Sequence, residues 1–273
     1  MRYDAAAIAA AESHFREGIW DAAPRDAVEE LEIRKRWYGP VLATTCAGLA
    51  DSVLMNTIQG AAEPGAVAAG HLAEAVEWMR SREVEYLVVV ASDRPESREA
   101  EAWLLSRGYE QGPTIRRYVR PALPPSPNGG SQIDVRELSA AETEGMSLIF
   151  AAAMDVSDLA TVPLLGLPDV EGWRCYAAYL DEREVACGAL FIEDGLAVLG
   201  LDATAPDARH RGCHSELIRR RLVDAAQAGC ELVVAESFDS PDDRAEAGRN
   251  FLRAGFAEDG RSVCWRRPPL FAP

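Results

Sequence analysis

The sequence predicts an α+β fold in two related halves, each a mixed, twisted sheet flanked by helices. Three observations carry this. A Pro/Gly-rich segment cuts the chain near its middle, the same strand–helix–Gly–aromatic–strand pattern stands on either side of it, and a two-residue Asp-Gly turn joins two strand-like runs in the second half. With 273 residues, 48% hydrophobic and 26% charged, the chain is long enough to bury two ordinary cores.

In chain order, the first helix with clear amphipathic spacing runs from about Gly65 to Arg82, with Leu72, Val76 and Met79 on one face. Tyr86–Ser92 is a short apolar run bounded by charge, as a buried strand requires. A helical segment follows to Trp103-Leu104-Leu105-Ser106-Arg107-Gly108-Tyr109, then a strand over Thr114–Tyr118. Trp20, Trp37 and Tyr38, on helical segments, are expected in the core rather than as ligand contacts. Pro121–Ser131 holds four prolines and two glycines in eleven residues and propagates neither helix nor central strand. The expected division is therefore 1–121, a linker at 122–131, and 132–273.

The second half opens on a helical segment whose Glu142, Asp155 and Asp158 are candidates to line an entrance. Glu184–Glu193 and Gly195–Ala203 read as two strands joined by the Asp194-Gly195 turn. An amphipathic helix from about Cys213 to Ala228 carries Leu217, Ile218, Leu222, Ala225 and Ala226 on one face, and Gly229 ends it. Glu231–Ser237 repeats the buried strand, a helical segment leads to Asn250-Phe251-Leu252-Arg253-Ala254-Gly255-Phe256, and Ser262–Trp265 closes the pattern.

The net charge is -16, which argues against general nucleic-acid or anionic-membrane binding. No stretch approaches the roughly 20 apolar residues of a membrane span, and the N-terminus lacks the basic and apolar regions of a signal peptide. The six cysteines form no CxxC pair and are expected as free thiols in a cytoplasmic protein. A homodimer is left open.

One segment breaks the acidic trend. From Arg209 to Arg221 there are five arginines and one glutamate, inside a half whose net charge is -11. A strand ends at Leu201-Asp202-Ala203, a Pro206-Asp207 turn follows, and Arg209-His210-Arg211-Gly212-Cys213-His214-Ser215 opens the helix. Unpaired N–H groups at a helix start, a glycine permitting close approach, and two arginines make an anion cradle. Arg219–Arg221, later in the helix, are expected to form a solvated face. His210, Cys213 and His214 lack a fourth ligand for zinc, and no metal is expected.

The Arg209-His210-Arg211-Gly212-Cys213-His214 stretch, with the strand before it and the Gly255-Phe256 landmark after it, resembles the signature of the GCN5-related N-acetyltransferases over about residues 133–267. The resemblance implies acetyl-CoA, or another acyl-CoA, as donor, with its pyrophosphate on Arg209–Ser215. It implies a pantetheine arm running along Leu201, Asp202 and Ala203, in a gap opened where that strand splays from Leu232–Ala235. Asn250 and Phe251 are carried over as cofactor contacts. Two departures stand out: His214 replaces a small residue, and Phe251 replaces a tyrosine able to donate a proton. The first half keeps only a glycine at the matching site, in Ala62-Glu63-Pro64-Gly65-Ala66-Val67, so it is expected to be a degenerate acetyltransferase-like domain.

Amine acylation needs proton removal, and the candidate catalytic carboxylates are Asp202 and Glu236. The expected function is acyl-CoA-dependent N-acyltransfer to a small amine, which an acidic surface would suit as a cation. The alternatives are a non-catalytic acyl-CoA-binding regulator and an aminoacyl-tRNA-dependent amide-forming transferase. The acidic charge speaks against the latter.

Overall fold

Apolar runs and turn residues set the elements, and their order in the computed structural model, which describes residues 5–125, 133–239 and 245–268, repeats one theme twice. The chain begins with α1 (Ala5–Asp21), α2 (Arg25–Glu30), β1 (Ile33–Tyr38), β2 (Val41–Cys46), β3 (Thr57–Gln59), α3 (His71–Ser81), β4 (Leu87–Ala91), α4 (Ser97–Leu105) and β5 (Glu110–Pro121). It continues with β6 (Asp134–Leu138), α5 (Thr143–Met154), β7 (Trp173–Leu180), β8 (Arg183–Glu193), β9 (Leu196–Thr204), α6 (Cys213–Gln227), β10 (Leu232–Asp239), α7 (Ala245–Arg253) and β11 (Ala257–Arg266). Of the expected linker, residues 122–125 are neither helix nor strand, and 126–131 lie outside the described residues.

The chain divides into two compact units. The first comprises the described parts of Met1–Pro24, Tyr118–Glu236 and Glu246–Glu258; the second comprises those of Arg25–Arg117, Ser237–Ala245 and Asp259–Pro273. Within each unit the strands pair in a mixed pattern. In the first unit the order is β6-β7-β8-β9-β10, antiparallel until the parallel β9–β10 pair. In the second it is β1-β2-β3-β4-β11, with β3–β4 as the parallel pair. A helix crosses over between the strands of each parallel pair, α6 in one and α3 in the other, as parallel neighbours require. The last strand of the second half pairs with the first half: Ser262–Trp265 lies antiparallel to Val88–Ala91.

Sequence and structure differ in places with identifiable causes. The helix expected from Gly65 starts at His71 instead, because Gly65 and Gly70 hold φ of 81° and 83° and keep the segment in turns. Trp37 and Tyr38, expected on helical segments in the core, lie on β1 instead, where only Ile33 and Tyr38 are buried and the four residues between them, Trp37 at 44% among them, are exposed. The Asp194-Gly195 turn forms as expected, with φ of 47° and 77° at its two residues, the signs a type I′ hairpin needs.

In the first unit, β8 separates two cores by its period of two. Ala186 and Leu190 belong to a cluster with Leu217, Ile218, Leu222 and Ala225 of α6. Cys187, Ala189 and Phe191 belong to another with Met146 and Trp173, against which Phe15 and Ile19 of α1 pack. Helix α6 thus covers one face of this sheet and α1 the other. Phe15 lies 4.7 Å from Trp173 and 6.4 Å from Phe191, ring centroid to centroid. Such aromatic pairs add about 0.5–1.5 kcal/mol each beyond area burial. All six cysteines are free and buried.

Candidate active site

The site grows from an irregularity in β9. Ala189 faces Gly200 and Cys187 faces Ala203 across the β8–β9 ladder, so one residue of β8, Gly188, stands opposite two of β9, Leu201 and Asp202. This is a bulge, and Leu201 within it has φ of 56°, outside the range a branched side chain favours. On the other side of β9, the pairing with β10 runs from Leu196/Leu232 to Leu199/Ala235 and no further. Gly200 and Glu236 are the first residues past the end of the ladder. The ladder thus ends just before Leu201–Ala203, the stretch at which the resemblance implies a gap.

Past β9, Pro206–Ala208 makes a single 3-10 turn and the chain reverses into α6 through His210, φ 62°, and Gly212, φ 87°. A Cβ at Gly212 would meet nothing closer than Ile133, 3.6 Å away, so conformation rather than space selects glycine here. No side chain caps α6, and its first helical bond is Glu216 N–H to Gly212 O. The N–H groups of Cys213, His214 and Ser215 precede that bond and have no intrahelical acceptor.

The arginines sort into two kinds. Arg219 pairs with Glu216 at 2.6 Å, Arg220 with Asp224 at 2.9 Å, and Arg221, wholly buried, with Asp202. The expected solvated face is thus three neutralised arginines, one of them in the core. Arg209 and Arg211, by contrast, have no ion pair among the described residues. The net positive charge of the stretch resides at the start of α6.

Asp202 and Arg221 form a buried pair. Arg221 also donates to the carbonyl oxygens of Leu217 and Ala189, at 3.1 and 2.9 Å. Nε2 of His214 lies 3.4 Å from Asp202 Oδ1 without hydrogen-bond alignment. Burial alone would raise the Asp202 carboxyl, but Arg221 and His214 outweigh it and hold the group below the usual range. Asp202 is accordingly a fixed anion tying β9 to α6. Asn250 Nδ2 donates to His214 Nδ1 at 3.1 Å, while Phe251, 1% exposed, packs between Tyr118 and Phe256 with His214 edge-on at 5.5 Å. Cys213 and Ala203 are buried, at 2% and 7% exposed. Ser215 is exposed, as is His210, which pairs with Glu246 at 3.1 Å.

Glu236 pairs with Arg16 of α1, both side chains about three-quarters covered, at 23% and 22% exposed. Phe15 packs directly over Gly200, where a Cβ would lie 2.5 Å from its ring. Sequence reasoning missed both α1 residues, which are more than 180 positions from their partners. It also missed the buried role of Arg221, although position 221 falls on the same stripe as Leu217 and Ala225.

No protein-family model and no curated protein sequence matches the chain. Solved structures do. The chain superposes on a GCN5-related N-acetyltransferase from Kribbella flavida with a TM-score of 0.69 at 17% identity, covering 98% of this chain and 97% of that one. A GCN5-related N-acetyltransferase from Sphaerobacter thermophilus gives 0.62 at 16% identity, over 85% and 79% of the two chains. A tandem GNAT protein from the clavulanic acid biosynthesis pathway gives 0.56 at 13% identity, over 85% and 79%. The chain has the GCN5-related N-acetyltransferase fold. Among the described residues, no helix is long and apolar enough to cross a membrane.

Proposed function

We propose that this protein is an acyl-CoA-dependent N-acyltransferase, with acetyl-CoA as the default donor and a small amine as acceptor. The observation that carries the reading is a coincidence of two features. The β9–β10 ladder opens at Gly200 and Glu236, and the uncapped start of α6, flanked by the two unneutralised arginines, follows directly after β9. Arg209, Arg211 and the N–H groups of Cys213–Ser215 would hold the pyrophosphate of CoA. The unpaired backbone of Leu201–Ala203 would hold the pantetheine arm, strand against strand. Transfer converts an ammonium and a thioester into an amide, a thiol and a released proton: the new C–N bond forms as the C–S bond breaks. Asp202, ion-paired with Arg221, orders the bulge in this reading, which leaves Glu236 as the carboxylate facing the acceptor.

The second unit lacks both arginines and carries Pro64 and Glu63 at the matching loop; we read it as a non-binding counterpart of the first. Six buried free thiols agree with a reducing, cytoplasmic setting. Phe251 favours one rival, an acyl-CoA binder without turnover, because a buried phenyl ring cannot protonate a leaving thiolate.

Titration calorimetry with CoA tests the cradle. Replacing Arg209 and Arg211 together by alanine should weaken binding by about 2–4 kcal/mol, some 30- to 1000-fold, since each charge-assisted bond to phosphate contributes about 1.5–3 kcal/mol. Unchanged affinity would show the cradle to be misassigned. Release of free thiol from acetyl-CoA in the presence of amines separates the enzyme from the silent binder.

A further inference from the structure

Helix α1 meets the opened ladder at one defined place. Gly200 and Glu236 are the first residues beyond the last paired couple, Leu199 and Ala235. Consecutive residues of α1 land on both: Phe15 on Gly200 and Arg16 on Glu236. This contact lies on the sheet face opposite α6, as the alternation of β8 residues between the two clusters requires. A donor held at the start of α6 would therefore present its acyl group through the opening toward α1. Resting on the acyltransfer reading, we propose that Arg16 and Glu236 form the acceptor-recognition pair, and that the acceptor is a zwitterionic amine of the α-amino-acid class.

The charges decide against a simple polycation. Glu236 already faces a guanidinium, so an approaching polyamine meets a neutralised carboxylate and a repelling arginine. An ammonium with a carboxylate on the neighbouring carbon matches the pair in both signs: Glu236 accepts from the ammonium, and the Arg16 guanidinium donates to the acid group. The Arg16 side chain is anchored for this by its bond to the Glu12 carbonyl oxygen at 3.3 Å. At 22% and 23% exposed, both groups are covered enough for charge to count and open enough to be reached. The neighbouring Phe15 is itself held by ring contacts with the buried Trp173 and Phe191.

The test uses the full chain with acetyl-CoA and three acceptor sets: neutral α-amino acids, the corresponding α-amino amides, and spermidine. Free thiol is followed, and amino-acid binding to the CoA-loaded protein is measured in parallel by calorimetry. The expected result is a kcat/KM for amino acids at least tenfold above that for the amides and spermidine. Arg16→Gln should erase the preference mainly through KM while leaving CoA affinity unchanged, and Arg16→Lys should restore part of it. Equal or better turnover of amides or spermidine, or a preference that survives Arg16→Gln, overturns the proposal. So does a wild-type protein that binds CoA but neither turns over nor binds any amino acid. Failure to bind CoA at all would instead remove the acyltransfer reading, and this inference with it.

Discussion

At Asp202 and Arg221, a residue-scale choice turns a charged side chain into part of the core. Arg221 has no exposed surface, so removing its counter-charge leaves a buried guanidinium. Asp202→Asn should therefore lower stability by about 3–5 kcal/mol, read by denaturant unfolding at pH 7. Because the folded-state pKa of Asp202 is depressed, its contribution is complete above the unfolded value of about 3.9 and is lost as pH falls through the folded value. The gap between wild type and Asp202→Asn should accordingly narrow in acid. Glu184 behaves oppositely. Burial, then Glu142, push its carboxyl up, and its Oε1 is buried without a partner. Its charged form costs stability above the raised value, so Glu184→Gln should gain up to about 1 kcal/mol at pH 7, and thermal unfolding near pH 4 should show the gain shrinking. Arg209 and Arg211 could be picked from the sequence because a cationic cluster in an acidic chain is visible as composition. Arg219–Arg221 could not be sorted that way, since their carboxylates are set by helix register and by a strand.

At the scale of elements, the opening in the first unit has the β9 bulge beside it and α1 over it. Substituting Phe15 by alanine should cost about 2–4 kcal/mol through loss of its packing on Trp173 and Phe191. Gly200→Ala should cost about 1–3 kcal/mol by driving a methyl group into the same ring. Chemical denaturation of each variant checks both. Much of this level could be read directly: the β8–β9 hairpin from Asp194-Gly195, α6 from its apolar stripe, and the parallel strands from their uninterrupted apolar runs. The docking of α1 could not, because its contacts with β9 and β10 carry no local pattern, and β1 was missed because its inward positions are too few to show alternation.

At the scale of the molecule, the pattern repeated along the sequence is present in the fold, each unit having an antiparallel meander that ends in a parallel crossover. The compact units nevertheless exchange segments across the expected linker. The chain's first helix packs in the first unit, and β11 pairs with β4 in the second. Cutting at the linker would leave residues 1–121 without β11 and residues 132–273 without α1. Each half expressed alone should bind a hydrophobic dye and lack a cooperative thermal transition, whereas the two co-expressed should recover it.

The pairing of β11 with β4 also bears on how the protein is made. Strand β4 leaves the ribosome roughly 170 residues before its partner does, a delay of about 10–30 s at ordinary translation rates. Throughout that interval one edge of Val88–Ala91, an apolar and β-branched run, stays open. Slowing elongation after residue 120 should therefore lower soluble yield rather than raise it, and added holding chaperone should recover it; fractionated expression at two elongation rates checks both.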